Sequence, residues 1–222
     1  WLEGVRAYDA QEWTRAADAW LMIRDSGLES PQLYCNIGDA YFKQKDIARA
    51  ILYYERALKL DPSFADAAFN LGYAGEFVQD KIEKVPEFFL KTWIREVGHS
   101  LSSDTWTVLF FLLLASGLAM LLVFLLSAAS KTRKVGFYSA LSLVVLALLC
   151  LSLAGVQRSE YGRDDEAVVM AAVSSVKSSP GDASTKDLFI LHEGTKVRVL
   201  DKVGDWSNIE LSDGRQGWIH AS

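Results

Sequence analysis

The chain has 222 residues, half of them hydrophobic, with 23 Lys/Arg against 28 Asp/Glu. Its apolar excess is concentrated in two uncharged runs, Trp106 to Ala129 and Val135 to Val156, and the segments on either side have the composition of ordinary soluble domains. Residues 1–104 carry twelve Lys/Arg against seventeen Asp/Glu and residues 159–222 carry seven against eleven, so neither flank offers the basic surface that grips phosphates, and no nucleic-acid partner is expected.

The two cysteines, Cys35 and Cys150, stand in different segments, one of them inside an apolar run. No disulfide, Cys-x-x-Cys redox pair or thiolate metal site is expected from them. His99, His192 and His220 share no ligand spacing, so no metal or other cofactor is expected either. Trp1 already lies inside a helical pattern, where a cleaved signal peptide or an upstream segment would leave it.

Residues 1–84 read as helical repeats. Tyr34, Ile37, Gly38 and Tyr41 mark one helix and Ala50, Tyr54 and Ala57 the next, with Asp61-Pro62 stopping the second. This alternation of small and large residues from Pro31 to Phe64 has the spacing of a tetratricopeptide repeat. Trp1, Tyr8, Ala17 and Leu21 fall in register as an earlier, degenerate unit, and Leu71-Gly72 begin a third. The third fails in its second helix, where Lys84 takes the small position, Phe88 the large one, and Pro86 interrupts. Two and a half repeats result, the last acting as a cap.

Repeats of this kind bind extended peptides along a concave face lined by their first helices at spacing i, i+4, i+7. The lining here is Leu2, Arg6 and Asp9, then Cys35, Asp39 and Phe42, then Phe69, Tyr73 and Glu76. An aromatic and acidic groove fits a peptide with apolar and basic side chains; packing of the same aromatics against neighbouring helices is the competing reading. Asn36 and Asn70 resemble the asparagine of the family's carboxylate clamp, but the accompanying cations are missing, so capture of a C-terminal carboxylate is not expected.

Residues 85–104 form a linker with Phe89, Trp93, Val97 and Leu101 on one helical stripe. Either the stripe caps the last repeat or the helix lies at a lipid headgroup layer with Lys91 and Arg95 toward phosphates. Residues 105–157 form a hairpin. Runs of 24 and 22 residues, 106–129 and 135–156, reach roughly 36 and 33 Å at about 1.5 Å per residue, enough for a hydrocarbon core of about 30 Å. The loop between them holds Lys131, Arg133 and Lys134 against the membrane, whereas of Lys91, Arg95, Arg158 and Arg163 only Arg158 lies close to a span. That asymmetry places the loop in the cytoplasm and both soluble parts outside it. The runs lack carboxylates, histidines and cations, so transport is not expected. Ala115, Gly117 and Ala119 on the first and Gly136, Ala140 and Ala147 on the second allow close helix packing.

After a linker, 158–166, the period changes to two. Candidate strands in 167–222 are Ala167 to Val176, Asp187 to Leu191, Lys196 to Val203, Trp206 to Leu211 and Gln216 to His220, enough for a small bent barrel and too few for a sandwich. Val176-Lys177-Ser178-Ser179-Pro180, Gly194-Thr195-Lys196-Val197, Asp205-Trp206 and Asp213-Gly214-Arg215-Gln216-Gly217-Trp218-Ile219 resemble the bacterial Src-homology-3-type domain. Such domains bind peptides or cell-wall fragments across aromatics, for which Phe189, Trp206 and Trp218 are the candidates, although the two indoles also suit the core of so small a barrel. His192-Glu193-Gly194 reads as a turn. The barrel's last strand is expected to be incomplete at Ser222.

Repeats, a two-span hairpin with a short basic loop, and a Src-homology-3-type barrel in this order, with Asn70-Leu71-Gly72-Tyr73 and Val85-Pro86-Glu87-Phe88-Phe89 before the first span, resemble the BatE family of the aerotolerance operon of Bacteroidota and related bacteria. The resemblance implies a multi-pass inner-membrane protein with periplasmic end domains, acting with von Willebrand A-domain membrane proteins and a MoxR-type ATPase. With no nucleophile paired to a base, a non-enzymatic scaffold is expected; an envelope sensor whose barrel binds peptidoglycan is the alternative.

Overall fold

In the computed structural model, residues 1–83, 89–161, 165–181 and 186–220 are described. Lys84, Pro86 and Phe88, which carry the expected failure of the third repeat, and Arg163 lie outside them. So do the side chains of Lys91, Arg95 and His99. Two units emerge, Trp1–Pro86 together with Asp164–Ser222, and Glu87–Arg163.

The first unit begins with five helices: α1 (Leu2–Asp9), α2 (Trp13–Asp25), α3 (Pro31–Lys43), α4 (Ile47–Leu60) and α5 (Ala65–Gly75). Ser30 starts α3 by accepting a hydrogen bond from the Leu33 amide at 3.1 Å, with Pro31 just inside; Asp46 does the same for α4 through the Arg49 amide at 3.0 Å. The turns within the first two helix pairs put Gln11 and Lys45, at matching places, into left-handed backbone with φ of 61° and 65°. Glycine sets the packing within each pair. A Cβ on Gly38 would stand 2.6 Å from the Tyr54 ring, and one on Gly4 2.6 Å from Cε2 of Trp20, so each first helix offers its partner's aromatic a seat that only glycine leaves open. Ile37, Ala40, Ala50, Tyr54 and Ala57 are buried between them.

The sheet of the same unit has six antiparallel strands: β1 (Glu166–Val168), β2 (Val173–Lys177), β3 (Asp187–His192), β4 (Lys196–Val203), β5 (Trp206–Glu210) and β6 (Gln216–His220). They lie in the order β1-β4-β5-β6-β2-β3. Among the described residues the ladder runs from edge to edge and does not close. The long first strand expected at Ala167 to Val176 is two strands, because β1 pairs with β4 whereas β2 pairs with β3 and β6, and changing partners requires a break at Val169–Ala172. Asp213-Gly214 makes the β5–β6 turn with Gly214 at φ +85°. Gly217 is required by crowding: a Cβ there would meet the Val176 side chain at 2.5 Å and the Lys177 carbonyl at 3.0 Å. The core consists of Val169, Val176, Leu191, Val197, Ile209 and Leu211. It is aliphatic, and the indoles of Trp206 and Trp218 are not in it.

The second unit comprises α6 (Phe89–His99), α7 (Ser103–Leu126) and α8 (Ser130–Tyr161). Phe89 and Trp93 are exposed on α6, and Trp106 at the start of α7 donates its indole N–H to the Gly98 carbonyl at 2.9 Å. Among the described residues, α7 and α8 contain the two helices long and apolar enough to cross a membrane, Ser103–Leu126 and Ser130–Arg158. Leu126 is 82% and Phe111 62% exposed on them. They pack through small residues: a Cβ on Gly136 would fall 2.9 Å from the Phe124 amide nitrogen, one on Gly117 3.2 Å from Val144, and Ala140, Ala147 and Ala154 are buried at heptad spacing. Ala115 and Ala119 instead face outward, since they flank Gly117 on the opposite side of the helix.

One expectation is corrected here. Lys131, Arg133 and Lys134 are not in a loop: they form the first turn of α8, and the connection is residues 127–129 alone. Cations at a helix N-terminus oppose its dipole, which is why the tetrad reads as a loop; in the fold they remain exposed, and Arg133 lies over the Phe124 ring at 5.4 Å.

Candidate functional site

On the repeat face, Leu2, Arg6 and Asp9 of α1 are exposed, as are Phe69 (76%), Tyr73 (49%) and Glu76 at α5. The middle of the expected groove differs. Cys35 is 2% exposed and presents no surface to a ligand; burial, with the nearby Asp39 charge, pushes its thiol up to about 12. Asp39 accepts the Tyr54 hydroxyl and the Asn70 amide, each at 2.8 Å, so it ties α3, α4 and α5 together. Its carboxyl is raised by burial despite those two hydrogen bonds. Asn36 accepts from the Gln32 amide at 3.0 Å. With Asn70 committed to Asp39, neither asparagine stands ready for a carboxylate.

At the end of the face, Phe42 of α3, Tyr73 of α5 and Phe77 form a triangle of rings with centroids 5.4–5.5 Å apart. Phe77 was not among the sequence candidates. It lies beyond the last turn of α5, so helical spacing cannot flag it; the signal available was an aromatic directly after Glu76. Lys81 folds back to give the Gly75 and Glu76 carbonyls hydrogen bonds of 3.2 and 2.9 Å, closing that helix end.

On the sheet, the three candidates do not form one site. Phe189 packs against the aliphatic core, with the Arg215 guanidinium 4.8 Å over its ring. The register opposes Trp206 to His220 and Asn208 to Trp218, which puts Trp206, Trp218 and His220 on the other face. Lys177 reaches 5.4 Å over the Trp206 ring, and His220 meets that ring edge-on at 5.2 Å.

The sheet also meets the repeats. Asp80 accepts the His192 amide at 2.7 Å, the His192 imidazole at 2.8 Å and the Thr195 hydroxyl at 2.7 Å. Burial alone would raise the Asp80 carboxyl; these donors outweigh it and hold the carboxyl below its ordinary range. Lys196 bridges Glu55 of α4 at 2.9 Å and Glu166 of β1 at 2.8 Å. Gly194 fits against Val78 and Ile51. Glu193 and Gly194 make the turn after β3, whereas His192 is that strand's last residue, and the three together form half of this joint.

The repeating glycine seats and the capped α3–α4 pair give residues 31–64 the geometry of one recurring unit, and these residues match the family model of the tetratricopeptide repeat. This helix pair is a tetratricopeptide repeat. Among curated proteins, none matches the chain. A tetratricopeptide repeat makes the exposed residues of α1 and α5 on either side of it a candidate surface for protein partners.

Proposed function

We propose that this protein is a non-enzymatic scaffold of a membrane complex, anchored by the α7–α8 hairpin and binding protein partners through its repeats and sheet. The observation that carries this reading is the tetratricopeptide repeat at residues 31–64, whose neighbour α5 keeps Phe69 and Tyr73 in solvent. The exposure of Leu126 and Phe111 supports insertion, since a water-soluble helix buries such residues and a lipid-facing one does not. With both ends on the outer side of an inner membrane, the resemblance to the BatE family supplies the partners: von Willebrand A-domain proteins and a MoxR-type ATPase acting in aerotolerance or envelope stress.

Crosslinking and mass spectrometry on the intact membrane complex test this. A-domain proteins joined to residues near Phe69 or Arg6 are the expected result; recovery of none overturns the proposed partnership. Orientation is tested separately with single cysteines at Glu3 and Ser212 in spheroplasts. Both are expected to react with a membrane-impermeant thiol reagent, and reaction only after lysis would overturn the periplasmic assignment.

A second reading, an envelope sensor whose Src-homology-3-like sheet binds peptidoglycan, is favoured by the position of Trp206 and Trp218 outside the aliphatic core. Retention of the detergent-solubilised protein on cell-wall sacculi, lost on Trp206→Ala with the fold intact, would support it.

A further inference from the structure

α6 belongs to the same unit as the hairpin, and hydrogen bonds fix it there. The Trp106 indole holds α6 to α7 through the Gly98 carbonyl at 2.9 Å. The Ser103 hydroxyl donates to the Ala154 carbonyl at 3.3 Å and the Gln157 amide to the Leu101 carbonyl at 3.4 Å, which hold the corner between α6 and α7 to α8. Gly98 is buried, and a Cβ on it would touch the Leu153 side chain at 3.9 Å, so α6 ends alongside α8 at that level. Leu153 stands five residues before Arg158, the cation that follows the apolar run of α8, a rise of about 7 Å. At about 100° per residue, Trp93, Ile94 and Val97 share one arc of α6 and Thr92 and Glu96 fall outside it. Trp93 is 58% exposed, Ile94 is exposed and Val97 half-buried.

We infer that this arc of α6 takes a lipid surface: the helix lies in the headgroup layer at the end of the hairpin that carries both end domains, with Trp93, Ile94 and Val97 toward the acyl chains and Glu96 toward water. Continuity names the occupant. The arc adjoins the exposed apolar surface of α7, which bears Val108 and Phe111, and the hydrogen-bonded corner joins the two surfaces at a fixed level. That level is the right one, because a helix lying in the interface buries its apolar face about 5–10 Å into the boundary between headgroups and chains, and Gly98 sits about 7 Å below the cation of Arg158 by helical rise. The side chain that dominates the arc also suits the layer, since an indole pairs an apolar ring with an N–H that hydrogen-bonds to headgroups and water. The inference rests on the reading of α7 and α8 as a membrane anchor.

The test is spin-label accessibility in the full-length protein reconstituted into phosphatidylethanolamine–phosphatidylglycerol vesicles. Nitroxides are attached one at a time through Thr92→Cys, Ile94→Cys, Glu96→Cys, Val97→Cys and, on α7, Phe111→Cys; Cys35 and Cys150 are buried, and the signal of the unsubstituted protein is subtracted. Each labelled protein is first matched to its parent by circular dichroism. Power saturation then compares collisions with oxygen, which concentrates in lipid, against collisions with a water-soluble nickel chelate. The oxygen-to-nickel ratio is expected to be several-fold higher at Ile94 and Val97 than at Thr92 and Glu96, and highest at Phe111. Equal ratios around α6 overturn the inference, and so does shielding of Ile94 and Val97 from both reagents, which would mean that protein covers the arc. If Phe111 keeps its high ratio while α6 shows no such contrast, the anchor stands and this inference falls; a low ratio at Phe111 brings down both.

Discussion

The repeat core and the α7–α8 hairpin are built from similar side chains put to opposite use. In the repeats, Leu33 and Ile37 are buried and the aromatics fill glycine seats on neighbouring helices. In the hairpin, small residues face inward at Gly117, Gly136, Ala140 and Ala147, and the large ones face out. The difference teaches where each set of helices puts its large apolar side chains: against one another in α1–α5, and on the outer surface of the pair in α7 and α8.

The strongest test of that contrast is Tyr54→Ala, which empties the Gly38 seat and removes a hydrogen bond to Asp39. Unfolding followed by circular dichroism should show a loss of about 3–5 kcal/mol. Gly136→Leu attacks the inward face of the hairpin, where a side chain would press on the Phe124 backbone. It should cost about 1–3 kcal/mol of hairpin stability in detergent, read as a lower melting temperature. Asp80→Asn should cost about 1–3 kcal/mol at the joint between repeats and sheet, seen as faster amide exchange at His192. Because the Asp80 carboxyl is held below its unfolded value, that stabilisation is fully present above the ordinary aspartate pKa of about 4 and is lost as pH falls through the lowered one. Protection of His192 should therefore persist at neutral pH and vanish in stronger acid. The smallest effect is expected from Leu126→Ala, less than about 0.5 kcal/mol in detergent; a loss comparable to that of Tyr54→Ala would erase the contrast.

Much of the architecture was legible because it rests on local spacing. The α3–α4 pair announces itself through Gly38, Ala50 and Tyr54, and β3 to β6 follow from alternation and Gly punctuation. The run Val168-Val169-Met170-Ala171-Ala172-Val173 reads as one strand by propensity, yet pairing with different neighbours divides it. Lys131-Thr132-Arg133-Lys134 reads as a loop by charge, although solvent around the side chains lets α8 begin there. The candidate groove was only partly visible: spacing assigned Cys35 and Asp39 to the first helix's ligand side, but the third unit covers that side, burying the thiol and drawing Asp39 to Asn70. Asp80 and His192 are 112 residues apart, and no local pattern links a polar pair across that distance.

That carboxylate, gripped by three donors from the sheet, has a further consequence. With the Lys196 bridge and the Gly194 packing beside it, it joins the sheet to the helical array through side chains as well as through the chain, so the two halves of this unit are riveted rather than merely tethered.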